Sequence, residues 1–129
     1  MRKQSKAFTL IEIMIVVAII AILVGVAVPA VMRSRMLAND ALTKQALRSI
    51  SAASEWYLTS NSSYPPSETS LLGAAPPYIN SAYCGLTFNG YVYNCTFSVS
   101  SYTVSAVPVT VGTSGTTTYT VSTGGVLTP

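Results

Sequence analysis

The longest apolar run of the chain extends from Phe8 to Val28 and contains one charged residue, Glu12. A helix rises about 1.5 Å per residue, so a run of this length is long enough to cross a hydrocarbon core of about 30 Å. We therefore predict a membrane-spanning helical segment over residues 8–32. An apolar surface of this kind needs lipid or other helices around it.

Helical character continues beyond this run, although the composition becomes mixed. Residues 33–58 contain no Gly or Pro and are rich in Ala, Leu, Lys, Arg and Gln, which favour helices. Steps of three and four predict one apolar face, made of Leu42, Ala46, Ile50, Ala53 and Tyr57. Residues 8 to about 58 are thus predicted to form one long helix, which is apolar on all sides in its first half and amphipathic in its second half. Pro29 removes a backbone donor and crowds the preceding turn, so we predict a kink there.

Residues 59–129 carry the patterns of a connecting loop followed by a β-sheet. Residues 61–82 contain four prolines, a glycine and many serines, which indicate a loop with at most a short helical turn. Three segments rich in Val, Tyr, Phe and Thr then predict strands, with a further turn at Gly124-Gly125: Tyr91 to Val99, Tyr102 to Thr110 and Thr117 to Thr123. The fold class is therefore α+β, with a three- or four-stranded antiparallel sheet on the amphipathic half-helix. Pro108 predicts an edge position or a bulge.

Charge is distributed unevenly along the chain. The formal net charge is +3, but Arg2, Lys3 and Lys6 all precede the apolar run. The remaining four basic and four acidic residues cancel. Cations ahead of a spanning segment stay on the cytoplasmic side, so the rest of the chain should face outward. The basic pI therefore reports membrane orientation and predicts no specific nucleic-acid partner.

An ordinary secretory signal peptide would also explain a basic start and an apolar run. Cleavage would then follow the small-residue pattern Val28-Pro29-Ala30. Two features disfavour this alternative: the run exceeds the usual apolar region of about 7 to 15 residues, and Glu12 lies near its start.

Histidine and cysteine usage excludes several kinds of chemistry. The chain has no histidine, which removes the commonest metal ligand and the usual near-neutral acid or base. Its two cysteines, Cys84 and Cys95, are too few for a thiolate zinc site and lack redox or haem spacing. A single structural disulfide is the simplest interpretation, and it places the folded part of the chain outside the cytoplasm. We predict no catalytic residue, metal or cofactor.

Glu12 is the residue with the clearest functional implication. A carboxylate within the bilayer costs roughly 2.5 to 3.5 kcal/mol on insertion scales, so it should be protonated or paired. A nearby or neighbouring amino terminus would supply a charge-assisted partner. The alternative is that Glu12 lies at the membrane interface and its side chain reaches water. Ala18, Ala21 and Gly25 add small residues at spacings that permit close helix packing.

The run Lys6-Ala7-Phe8-Thr9-Leu10-Ile11-Glu12, followed by apolar residues, resembles the processing signature of type IV prepilins and type II secretion pseudopilins. The tail from Tyr102 to Pro108 and from Gly112 to Leu127 is similar to the final strands of short pilins and major pseudopilins. The family usually has Gly before the cut, where this chain has Ala7, so processing should be tolerated but slower.

The resemblance implies a specific pathway. A prepilin peptidase in the inner membrane would remove residues 1–7 as a leader by cutting between Ala7 and Phe8, and the new Phe8 amine would be methylated. A cytoplasmic ATPase and a platform protein would then lift subunits into a homo-oligomeric helical filament whose core is the segment 8–32. Glu12 would pair with the neighbour's Phe8 amine during assembly. The fibre would lie outside the cell, or in the periplasm for a pseudopilus.

Three functions remain open at this stage: a type IV pilin serving adhesion, motility or DNA uptake, a major pseudopilin of type II secretion, and an anchored enzyme. The enzyme is disfavoured because residues 59–129 contain neither histidine nor paired carboxylates. Major pseudopilins typically bind calcium through carboxylates in a C-terminal loop, whereas no acidic residue follows Glu68 here. The pilin is therefore the favoured interpretation.

Overall fold

The computed structural model describes residues 7–129 and divides the chain into two units. The first unit ends at Ser34, and the second spans Arg35–Pro129. The leader cations Arg2, Lys3 and Lys6 lie outside the described residues. The second unit, which contains the sheet, is called the head below.

A single helix, α1, accounts for the whole predicted helical region and spans Leu10–Asn61. It begins two residues later and ends three residues later than the apolar and amphipathic patterns predict. Ser62 follows with a φ of +58°, and its N–H donates to the carbonyl of Leu58 at 2.8 Å. This left-handed residue ends the helix by satisfying one of the last free carbonyls.

The head contains five antiparallel strands rather than three or four. They lie in the sheet in the same order as in the chain: β1 Thr87–Phe88, β2 Tyr91–Ser98, β3 Ser101–Pro108, β4 Tyr119–Ser122 and β5 Val126–Thr128. The predicted strands are confirmed, with β4 shorter than expected. β1 was not predicted, because two residues are too few to show an alternating pattern. The α+β prediction is confirmed.

The position of Pro108 differs from the prediction. β3 lies between β2 and β4, so it is not an edge strand. Pro108 is its last residue and pairs with Tyr91, whereas the pairing with β4 extends only to Ala106. The missing backbone donor therefore breaks no bond to β4, and neither an edge position nor a bulge is needed.

The head core forms where the second half of α1 packs on one face of the sheet. Leu47 and Ile50 contact a cluster rich in tyrosine, whose members are Tyr64, Tyr91, Tyr93, Tyr102 and Tyr119, with Val104, Ala106 and Val121. The predicted helix face is offset: Ile50 and Ala53 are buried, but Leu42 is 46% exposed. Small polar residues take part of its place, since Thr43, Ser51 and Ser54 are buried on α1.

A short helix and a disulfide complete the head. α2 spans Glu68–Leu72, and Leu71 forms a second small core with Ala53 and Ile79. Cys84 and Cys95 form a disulfide with their Cα atoms 5.5 Å apart, joining the loop before β1 to β2. The Glu68 carboxylate accepts hydrogen bonds from the backbone N–H groups of Tyr83 and Cys84, at 2.5 and 3.1 Å. The loop is therefore held both covalently and by a charged acceptor.

Candidate functional site

The first part of α1 exposes its apolar side chains on every side. All residues from Phe8 to Ser34 are exposed, and Phe8, Leu10 and Val26 expose at least three quarters of their surface. By length and composition α1 can cross a membrane. Apolar surface on this scale is stable only in lipid or against other chains. The first unit therefore carries little of its own stabilisation and is suited to an external environment.

A capping box organises the start of this helix. The Thr9 hydroxyl accepts a hydrogen bond from the Glu12 N–H at 3.3 Å, and Glu12 Oε2 accepts one from the Thr9 N–H at 2.7 Å. The Thr9 hydroxyl also donates to Glu12 Oε2 at 2.8 Å. Each residue satisfies a backbone donor that the helix leaves free. Thr9-Leu10-Ile11-Glu12 matches the sequence signature of this motif, so the role of Thr9 was visible in the sequence and was missed.

The predicted cleavage junction lies immediately ahead of this box. Ala7, Phe8 and Thr9 are in neither helix nor strand, and all three are exposed. Glu12 is exposed as well, and both hydrogen bonds that its carboxylate accepts use Oε2. Its second oxygen, Oε1, can therefore accept a further donor without opening the box.

The small residues and the proline of α1 are also placed by the structure. Ala18, Ala21 and Gly25 are all exposed, and a Cβ added at Gly25 would meet no other atom within 4 Å. The described chain itself therefore gives Gly25 no steric reason to be glycine. Pro29 lies inside α1, and the helix is assigned without a break through it. The kink at Pro29 stays a prediction.

In the head, Asp40 is a buried carboxylate that anchors the loop between β3 and β4. It accepts hydrogen bonds from the Tyr91 hydroxyl at 2.5 Å and from the Thr116 hydroxyl at 2.6 Å. Burial acts to raise the pKa of Asp40, but the hydrogen bonds from Thr116 and Tyr91 outweigh it, and the net pKa lies below its ordinary value. Burial, together with the Asp40 charge, raises the pKa of the Tyr91 hydroxyl.

Two further contacts fix the same loop. Asn39, next to Asp40 on α1, donates to the carbonyl of Ser114 at 2.8 Å. Gly115 is buried directly on the Tyr91 hydroxyl and ring, so a Cβ at this position would overlap that side chain. The loop is therefore held on α1 by hydrogen bonds and by close packing on Tyr91.

Glu55 plays a comparable part at the other end of the sheet. Its carboxylate accepts hydrogen bonds from the hydroxyls of Tyr64 and Tyr102, both at 3.2 Å, and from the Gly124 N–H at 2.9 Å. Asp40, Glu55 and Glu68 thus all accept hydrogen bonds from neutral donors of their own head. Within residues 7–129, no group of three His, Cys, Asp or Glu side chains is arranged to hold a metal ion.

Comparisons with known proteins find similarity at the N-terminus and along most of the chain. Residues 2–28 match the prokaryotic N-terminal methylation motif. Over 113 residues, 88% of this chain and 77% of the relative, the sequence is 32% identical to the type IV wide pilus major component PilA4 of Thermus thermophilus. It is also 40% identical over 70 residues to type II secretion system core protein G of Pseudomonas aeruginosa. That second match covers 54% of this chain and about half, 49%, of the relative.

Proposed function

This chain belongs to the family of type IV pilins and type II secretion pseudopilins, which are structural filament subunits, and we propose that it polymerises into a type IV pilus. The observation that carries the proposal is the exposed apolar segment Phe8 to Ser34, with one carboxylate organised at its start. In this proposal the protein is a building block rather than an enzyme. Its fibre serves adhesion, surface motility or DNA uptake.

Processing begins on the cytoplasmic face of the inner membrane. Prepilin peptidase cuts between Ala7 and Phe8, and the new Phe8 amine is methylated. The exposed, irregular backbone of residues 7–9 supports this step, because a peptidase needs an extended segment in its active site. Methylation keeps the amine basic, so a cation remains at the start of the mature helix.

Assembly then pairs this cation with Glu12 of a neighbouring subunit. Glu12 Oε1 accepts a hydrogen bond from the neighbour's Phe8 amine, while Oε2 keeps the hydrogen bonds that it accepts from Thr9. Such a pair offsets the cost of an intramembrane carboxylate and sets the axial step between subunits. An identical contact repeated by a rotation that does not close produces an open helical fibre. A platform protein and a cytoplasmic ATPase move the subunits out of the membrane.

The loop between β3 and β4 favours the pilus over the pseudopilus. Calcium needs six to eight oxygen ligands, and protein sites use carboxylates among them. This loop has no carboxylate of its own, and Asp40 already holds it through Thr116 and Tyr91. The loop therefore has an anchor that does not require an ion.

A pseudopilin is the second candidate, supported by the 40% identity to core protein G. Both candidates share processing and assembly, so location and calcium dependence separate them. Shearing whole cells should release fibres whose main subunit, identified by mass, is this chain. Calcium chelation should leave the melting temperature of the subunit unchanged. Absence of surface fibres, together with loss of protein secretion on deletion, would favour the pseudopilin.

A further inference from the structure

Trp56 is the single tryptophan of the chain, and it lies exposed on the second half of α1. It exposes 65% of its surface, although other side chains of the same half-helix pack on the sheet. Tryptophan buries more surface than most side chains and is enriched among the residues that dominate the energetics of interfaces. The core of the head does not use Trp56, so this side chain is available to a partner.

A cleft of about 260 Å³ opens beside the same helix. Leu42 lines it from α1, Tyr83 from the loop before β1, and Phe88 from β1. The rings of Tyr83 and Phe88 lie with their centroids 5.4 Å apart, and Leu42 and Phe88 are both exposed. A cavity of ~150 Å³ already holds benzene, so this cleft is large enough for an indole ring.

The chemistry of the cleft also suits an indole ring. None of the described residues that line it carries a charge, and Gln45 and Asn89 add exposed amide groups. The oxygen of an amide accepts hydrogen bonds, and the indole N–H is a donor that needs an acceptor when it is covered. Aromatic rings such as Tyr83 and Phe88 favour a second ring in an edge or offset contact. The cleft thus offers apolar walls together with neutral acceptors.

Trp56 does not fill the cleft of its own head. It lies seven residues beyond Ser49, the last α1 residue that lines the cleft, which is about 10 Å along the helix. Its exposure shows that the indole is not inserted there. One chain therefore presents an exposed tryptophan and an open cleft at two different places. Two different surfaces that fit each other make a heterologous contact, which builds an open filament when the rotation does not close.

The axial positions of both features agree with the displacement that assembly needs. In the proposed pair, Glu12 of one subunit meets the neighbour's Phe8. Two non-helical steps of at most about 3.5 Å and two helical steps of about 1.5 Å separate these positions, or about 10 Å in all. A neighbour displaced by this distance brings its Ser49 level with Trp56, because seven helical residues also rise about 10 Å. One displacement, in one direction, therefore satisfies both contacts.

We propose that Trp56 docks into the cleft of the neighbouring subunit and anchors the contact between successive heads. The occupant of each cleft is the indole ring of a second copy of this chain. The ring packs on Leu42 and Phe88, and its N–H donates to the amide oxygen of Gln45 or Asn89. This inference rests on the proposed function, because only a fibre supplies a neighbour at the required displacement.

Fluorescence reports this contact directly, because the chain has one tryptophan. The measurement compares the full-length subunit in detergent with purified wild-type fibres, by emission maximum and by acrylamide quenching. Fibres should emit at shorter wavelength, and the quenching constant should fall at least about threefold, since a docked ring is shielded from water. A quenching constant that is the same in fibres and in the free subunit would overturn the inference and leave the pilus proposal intact.

Variants on both sides of the contact test whether the cleft is what covers Trp56. Trp56→Ala should lower fibre yield, relative to processed subunit, at least about tenfold, and Phe88→Ala or Leu42→Ala at least about threefold. The double variant Trp56→Ala/Phe88→Ala should assemble no worse than Trp56→Ala, because both changes remove the same interaction. Leu42→Ala changes the cleft from α1 alone, so it serves as the test if Phe88→Ala lowers the melting temperature of the head.

Val111→Ala is the matched control, since it shortens an exposed apolar side chain of the head outside the cleft. It should assemble as wild type does. In the fibres that Leu42→Ala still forms, Trp56 should be quenched more readily than in wild-type fibres. If Trp56 stays shielded there, or if the losses from Trp56→Ala and Phe88→Ala multiply, another surface covers the ring and the inference fails. Failure of the wild-type chain to form fibres would overturn both the inference and the proposed function.

Discussion

The first half of α1 and the head differ in how their side chains are covered and paired. From Phe8 to Ser34 every side chain is exposed, and Glu12 is the only charged residue between Phe8 and Arg33. In the head, the tyrosine-rich core is buried and each carboxylate accepts hydrogen bonds within the head. The head thus buries its apolar side chains and pairs its carboxylates within itself, whereas the apolar side chains in the first half of α1 require lipid or neighbouring chains to cover them. Substitutions in the first half of α1 should therefore impair assembly without unfolding the protein. Substitutions in the head should lower the stability of the fold.

The largest expected effect follows from removing the Glu12 charge. Glu12→Leu and Glu12→Gln should insert in the membrane and be cleaved, while filament yield falls steeply and mature monomer accumulates. A charge-assisted hydrogen bond contributes about 1.5–3 kcal/mol, which corresponds to roughly 10- to 150-fold per subunit. The measurement is fibre in the sheared fraction relative to total processed subunit.

Two controls separate pairing from capping. Thr9→Val removes the cap hydroxyl but keeps the carboxylate, so it should lower yield less than Glu12→Leu does. The melting temperature of the head should be the same in all these variants. Normal fibre yield from Glu12→Leu would show that this carboxylate does not carry assembly.

The next effect concerns the disulfide, which acts in the head alone. Replacing both Cys84 and Cys95 by Ser should destabilise the detergent-solubilised subunit by about 3 kcal/mol in the chain-entropy model. Glu12→Leu, by contrast, should leave unfolding unchanged. Alkylation of wild-type fibres without reduction should label neither cysteine. Labelling of both would mean that the assembled protein lacks this bond.

Packing of the loop on Tyr91 gives a smaller effect. Gly115→Ala would place a methyl group on the Tyr91 ring and hydroxyl, and overpacking of this kind costs about 2 kcal/mol. Thr113→Ala, in the same loop but exposed, should change stability by less than about 0.5 kcal/mol. Thermal unfolding of the two variants tests the contrast. Equal melting temperatures would show that the loop can move away from Tyr91.

Much of this contrast could be predicted from the sequence, because it depends on local patterns. The apolar run predicts α1, and alternating Val, Tyr and Thr predict the longer strands. The offset of the helix face was not predicted, since Thr43, Ser51 and Ser54 are polar but buried. Ser51 pairs with the Tyr102 hydroxyl, a partner 51 residues away that a periodicity cannot show, and Ser54 donates to the Ile50 carbonyl one turn earlier on α1.

The anchoring role of Asp40 was not visible in the sequence either. Its partners Tyr91 and Thr116 are 51 and 76 residues away along the chain. Nothing in the sequence near Asp40 marks it as buried, and a charged residue in a helix usually faces water. The capping box is the opposite case, because Thr9 and Glu12 are three residues apart and the motif could have been read directly.

The smallest effect is the pH dependence that Asp40 introduces. Its pKa in the folded head lies below the ordinary value of 3.8, so its contribution is full above that pH and is lost as pH falls through the folded pKa. Asp40→Asn should therefore be less stable than wild type at neutral pH. Chemical denaturation should show the two converging as pH falls below about 4. A difference that stays constant with pH would contradict this role for Asp40.

The most direct test of the contrast is the intact mass of the subunit in purified fibres. If the first half of α1 exists to contact neighbouring subunits, it must be retained after processing. The predicted mass corresponds to Phe8 to Pro129 with one added methyl group and two hydrogens fewer, for the Cys84–Cys95 bond. A mass beginning at Val31, which signal peptidase would produce by cutting after Ala30, would contradict the account.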